Sequence, residues 1–136
     1  MNANFIMWEE NGRTDFYYNT TMEQAGCLRE AQTWNEMLKT YNGNIKFRDK
    51  AWGPENYRSC FDTPGLVRNM HRPYEIMNLS SNVFITWPTD HTGIYLFTVK
   101  VVDPNYSFCK LTTQFAVETY GVLVRYGINN KSDNLQ

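Results

Sequence analysis

The chain has 136 residues, 42% hydrophobic and 15% aromatic, with 13 basic against 14 acidic side chains and a net charge of −1. That is one domain's length of chain, 1–136, with a polar tail over about 129–136 that should fray. The balance excludes a disordered chain, an acidic tail or a histone-like protein. The longest apolar runs, 5–8 and 83–87, fall far short of the ~20 residues that span a bilayer, and no basic then apolar leader opens the chain. The expectation is therefore a cytoplasmic protein with no membrane contact.

In chain order, 5–8 and 14–18 read as two short strands around Asn11-Gly12, a strong hairpin signal. Thr20-x-x-Glu23 fits a capping box, and Met22, Ala25, Leu28, Ala31, Trp34, Leu38 and Tyr41 recur at steps of three or four. These predict one long amphipathic helix stopped at Gly43. Residues 45–50 alternate as a half-buried strand with Lys46, Arg48 and Lys50 on its outer face. Residues 51–74 lose all periodicity, with Pro54, Pro64, Pro73, Gly53 and Gly65 breaking it. Strands are predicted at 83–87 and 93–102, joined by a hairpin-length turn, then at 108–117 and 122–126. A helix over 108–126 is the rival for the last two. The fold class is α+β: an N-terminal hairpin, one long helix, then a mostly antiparallel sheet.

The cysteines, Cys27, Cys60 and Cys109, are odd in number and separated by 33 and 49 residues, with no C-x-x-C pair. They read as reduced thiols in a reducing compartment, and no zinc site is supported. Four Asn-x-Ser/Thr sequons begin at Asn19, Asn78, Asn105 and Asn130. Little above chance in so Asn-rich a chain, they read as accidental, with a mature secreted fragment as the alternative.

No catalytic set can be assigned. Cys60, His71, Asp90 and His91 supply the types for nucleophilic chemistry, but nothing in their flanks supports it. The two histidines are too few and badly spaced for a metal site, and no phosphate-cradling loop occurs. No cofactor is expected, and enzyme activity is disfavoured.

Charge, by contrast, is polarised. Residues 1–38 carry six acidic and two basic side chains, and 39–72 seven basic and three acidic, or −4 and +4. Glu9, Glu10, Glu23, Glu30 and Glu36 read as solvated faces. The basic stretch interleaves cations with aromatics, the composition of interface hot spots. The predicted site is Arg48, Trp52, Tyr57, Arg58, Arg68, His71 and Arg72, with Trp52 and Tyr57 as anchors and the arginines pairing anionic groups. The expected function is a small non-enzymatic binding protein, an inhibitor or adaptor, contacting an acidic protein partner or anionic ligand through 46–74. One alternative is a small-ligand-binding protein or enzyme with an aromatic pocket between helix and sheet (Trp34, Tyr95, Phe97, Phe115, Tyr126). The other is single-stranded nucleic-acid binding through the same segment.

Overall fold

Gly-Ile-Tyr-Leu-Phe-Thr-Val-Lys-Val, residues 93–101, alternates large apolar side chains with a second set that includes Thr98 and Lys100. In the computed structural model, which describes residues 3–78, 83–103 and 111–120, this stretch is the central strand. In chain order the elements are β1 (Phe5–Glu9), β2 (Tyr17–Tyr18), helical turns α1 (Met22–Ala25), α2 (Trp34–Leu38) and α3 (Arg48–Ala51), then β3 (Ile85–Thr86), β4 (Gly93–Val101) and β5 (Thr112–Thr119). One antiparallel sheet runs β1-β4-β5, and β2 pairs with β3 in a second antiparallel ribbon.

The register assigns the faces. Met7 pairs with Val99, and Phe97 with Phe115, so these side chains share one face with Tyr95 and Val117. Phe16, Tyr18, Ile85 and Trp87 cover that face. Phe16 meets Phe97 edge-on, ring centroids 5.3 Å apart, and Trp87 packs on Tyr95 at 4.9 Å. Tyr95 and Phe97 are wholly buried, contributing roughly 1.5–3 kcal/mol each. The opposite face carries Ile6 and Trp8, and this side of the fold buries Met22, Ala31, Trp52, Tyr57, Cys60, Tyr74, Ile76 and Val102.

The α+β architecture is corrected to a mainly β fold with only short helices. The long helix expected from Thr20 to Gly43 is broken by Gly26, which takes φ +88° and ends α1 after one turn. The capping box is displaced by one residue: Thr21 caps α1, its Oγ1 accepting from Gln24 N at 3.1 Å while Gln24 Oε1 accepts from Thr21 N. Beyond Gly26 the chain turns to run beside the loop that carries Cys60 and Leu66, with Leu28 N donating to Cys60 O and Glu30 N to Leu66 O. Met22, Ala25, Ala31, Trp34, Leu38 and Tyr41 do face the core, although no single helix carries them, whereas Leu28 of the expected stripe is 47% exposed.

The N-terminal hairpin is corrected too. β1 and β2 flank an Asn11-Gly12 turn, Gly12 at φ +81°, but pair with β4 and β3 respectively and never with each other. The strand expected at 45–50 is a 3-10 turn, Ile45–Phe47, running into α3, because Asn44 Oδ1 accepts from Lys46 N and bends the backbone. The turn at 88–92 does not join a hairpin, since β3 pairs with β2 and not with β4. β5 shows a strand and no helix at 112–119. The strand expected at 122–126 and the tail at 129–136 lie outside the described residues.

Candidate interaction surface

The basic segment folds back onto the acidic one. Glu30 lies at the centre, its side chain 8% exposed, between the extended chain after α1 and the loop 66–72. Its Oε1 accepts from Arg72 Nη2 at 2.9 Å, and its Oε2 from Arg68 Nε at 3.3 Å and Asn69 N at 3.2 Å. The Arg68 backbone N–H donates to the same oxygen. Glu36, in the first turn of α2, accepts from Arg72 Nη2 at 3.0 Å. Burial works against the ionised form of Glu30, but the donors of Arg68 and Asn69 outweigh it and lower its carboxyl pKa.

Arg48 is likewise engaged. Its Nη2 pairs with Glu10, and its guanidinium lies over the Trp8 ring, 5.3 Å from the centroid. Burial raises the Glu10 carboxyl, and Thr98, Arg48 and Trp8 more than reverse that. Glu9 is buried, accepting from the backbone N–H groups of Arg13 and Leu96. Glu9, Glu10, Glu30 and Glu36 are thus working partners of the fold, not the solvated faces that their spacing suggests. The signal was present in the sequence as equal and opposite charge on 1–38 and 39–72.

The expected anchors are interior residues. Trp52 is fully buried, meeting Trp34 edge-on at 5.5 Å between centroids. Tyr57 is buried, its hydroxyl accepting from Asn4 Nδ2 at 2.7 Å, and burial pushes its phenol up to about 12. Three of the predicted residues face solvent. His71 is 81% exposed in its side chain and 3.4 Å from Glu23, and Arg68 is 65% exposed. Arg58 is exposed, and among the described residues its guanidinium has no acidic partner. It lines two open grooves, each of about 390 Å³, one with Gln32, Met37 and Tyr41, the other with Arg29 and Asp62. Leu66 and Val67, next to Arg68, are 66% and 54% exposed. Of the suggested pocket residues, Tyr95 and Phe97 are core, Trp34 is half-buried and Phe115 exposed; Tyr126 lies outside the described residues.

Cys27 and Cys60 form a disulfide across this region, so the expectation of reduced thiols is corrected. It failed because the pairing joins distant segments, which spacing does not reveal. Cys109 lies outside the described residues. Among the described residues no helix is long and apolar enough to cross a membrane.

A family model described as "CATSPERD/E C-terminal domain" matches residues 1–134. The human cation channel sperm-associated auxiliary subunit epsilon is 50% identical over 122 residues, covering 89% of this chain and 13% of that protein. The mouse epsilon subunit is 47% identical over 129 residues, 94% of this chain and 13% of its own length. The human auxiliary subunit delta is 33% identical over 125 residues, 89% of this chain and 14% of that protein. The chain thus spans about an eighth of the length of the epsilon relatives. These relatives are named as auxiliary subunits of a cation channel, a membrane assembly. The expectations of a cytoplasmic protein, of an inhibitor and of no membrane partner are therefore set aside, and for the cytoplasmic one the disulfide gives a physical reason.

Proposed function

The chain belongs to the CATSPERD/E C-terminal domain family, and on that premise we propose that it is a non-enzymatic module on the non-cytoplasmic side of a cation-channel complex, binding a neighbouring subunit. The disulfide between Cys27 and Cys60 carries the reading. Such bonds persist in oxidising compartments and are rare in the cytosol. The contact surface is the exposed rim Arg58, Leu66, Val67, Arg68 and His71. It joins apolar area to cations that the acidic half of the chain has not fully consumed. Trp52 and Tyr57 act from beneath, by fixing the loop that presents Arg58.

Two measurements test this. In intact cells carrying the assembled channel, a membrane-impermeant biotin reagent should label the exposed lysines among the described residues, Lys39, Lys46 and Lys50. Labelling only after permeabilisation overturns the location. R58E combined with L66D should reduce co-purification with the channel at least tenfold, by roughly 1.4 kcal/mol or more, while the melting temperature holds. Undiminished co-purification overturns the surface.

A further inference from the structure

Asn19-Thr20-Thr21 is a sequon, and its asparagine stands in a particular setting. β2 ends at Tyr18, yet pairing with the strand opposite continues for one residue: Asn19 N donates to Phe84 O at 3.1 Å. The Asn19 side-chain oxygen accepts from Phe84 N at 2.7 Å and from Thr20 Oγ1 at 3.5 Å. Those bonds fix the carboxamide by its oxygen. Its Nδ2 is left without a partner among the described residues, on an exposed residue.

The flanking rings match. Strand alternation turns Tyr18 inward, its hydroxyl donating to Met7 O at 3.4 Å, and puts Tyr17 on the same side as Asn19. Tyr17 is 66% exposed and Phe84, opposite Asn19, 59% exposed. An exposed aromatic two residues before the asparagine offers its electron-rich face to the C–H groups of a first sugar. The other sequon asparagine among the described residues, Asn78, is different. It is half-buried and its Nδ2 donates to Asn4 Oδ1 at 2.9 Å. A sugar there would break that bond.

We propose that Asn19 carries an N-linked glycan, seated between Tyr17 and Phe84 and shielding both rings. In the transfer, Asn19 Nδ2 forms a bond to C1 of an oligosaccharide held on a lipid pyrophosphate. The C1–O bond to the pyrophosphate breaks, the amide gives up one proton, and the lipid pyrophosphate leaves. No electron transfer is involved. The step precedes folding, and the folded structure leaves room for its product. The inference rests on the proposed non-cytoplasmic location, because the sugar donor faces only that side.

The test is secretion of the full chain from mammalian cells behind an imposed secretory signal. Peptide N-glycosidase in heavy-oxygen water then converts a glycosylated asparagine to labelled aspartate, which peptide mass spectrometry reads. Asn19 is expected to be labelled in most molecules. N19Q and T21A lose the modification, whereas T21S keeps both the hydroxyl that caps α1 and the glycan. Recovery of Asn19 as unmodified asparagine in secreted chain with its disulfide intact overturns the proposal. Because secretion is imposed, that outcome leaves the location reading standing. A failure of the location appears instead in the biotin experiment on intact cells.

Discussion

Cys27 and Cys60, 33 residues apart in sequence, are joined by a disulfide, and the residue after Cys27 donates its N–H to the carbonyl of Cys60 at 2.8 Å. The bond therefore anchors the loop carrying Arg58 to the chain leaving α1. Closing a loop of that length restricts the unfolded chain by about 3–4 kcal/mol. Reduction, or a C27A/C60A pair, is expected to lower the unfolding free energy by about that amount in urea denaturation. A loss under ~1 kcal/mol would mean that the α1 and 60–66 contacts hold the loop unaided.

Trp52 and Arg58 lie six residues apart and should behave oppositely. Trp52 is fully buried, and W52A is expected to cost about 3–5 kcal/mol through the cavity left against Trp34 and its neighbours. R58E should stay within roughly 0.5 kcal/mol, since the side chain is exposed and unpaired among the described residues. Thermal unfolding of the two variants separates the core part of the basic segment from its surface part. Equal destabilisation would contradict the placement of Arg58.

The alternation of β4 was readable because strand periodicity is local and both faces of the strand pack. The stripe from Met22 to Tyr41 was readable as core but not as loop. Spacing alone cannot register that Gly26 adopts a left-handed backbone and that Cys27 pairs far away. Trp52 was mistaken for a surface anchor because an aperiodic, basic stretch looks solvated, although here it wraps the β1 and β4 face. The exposure of Arg58, Arg68 and His71 followed from their polar side chains. The pairing of Arg72 with Glu30 and Glu36 needed the third dimension, although the opposed segment charges foreshadowed it.

Lys100 is 2% exposed on β4, with its Nζ donating to Asp49 O at 2.7 Å and Asp49 Oδ1 at 2.9 Å. It ties the central strand to α3. A buried ammonium with one partner removed costs more than the pair removed together. D49A is therefore expected to destabilise by about 1–3 kcal/mol, and K100M by no more than about 1 kcal/mol, because its apolar stem keeps the packing. Denaturant midpoints of the two variants check the order. K100M as the worse of the two would show that the ammonium itself is indispensable.

His91 links two loops by both ring nitrogens, Nε2 to Asp15 Oδ2 at 2.8 Å and Nδ1 to Asp90 Oδ1 at 2.7 Å. Both partners are acceptors, so only the doubly protonated ring donates to both. The bonds to Asp15 and then Asp90 accordingly raise the His91 pKa above its ordinary value. Asp15 is held well below the carboxylate range, first by Arg13, whose Nη2 donates at 2.6 Å, and then by His91. For a histidine with a raised folded pKa, the stabilisation is complete below the unfolded value of ~6.5 and is lost as pH rises through the folded one. Asp15 acts in the opposite sense: its contribution is present above its unfolded value of ~3.9 and disappears as pH falls further. The melting temperature should thus decline as pH rises from about 6.5 through the folded His91 value, and H91N should remove that decline while leaving the acid limb in place. An NMR titration of His91 reads the same event directly. An ordinary or lowered midpoint for the ring would rule out the two-carboxylate clamp.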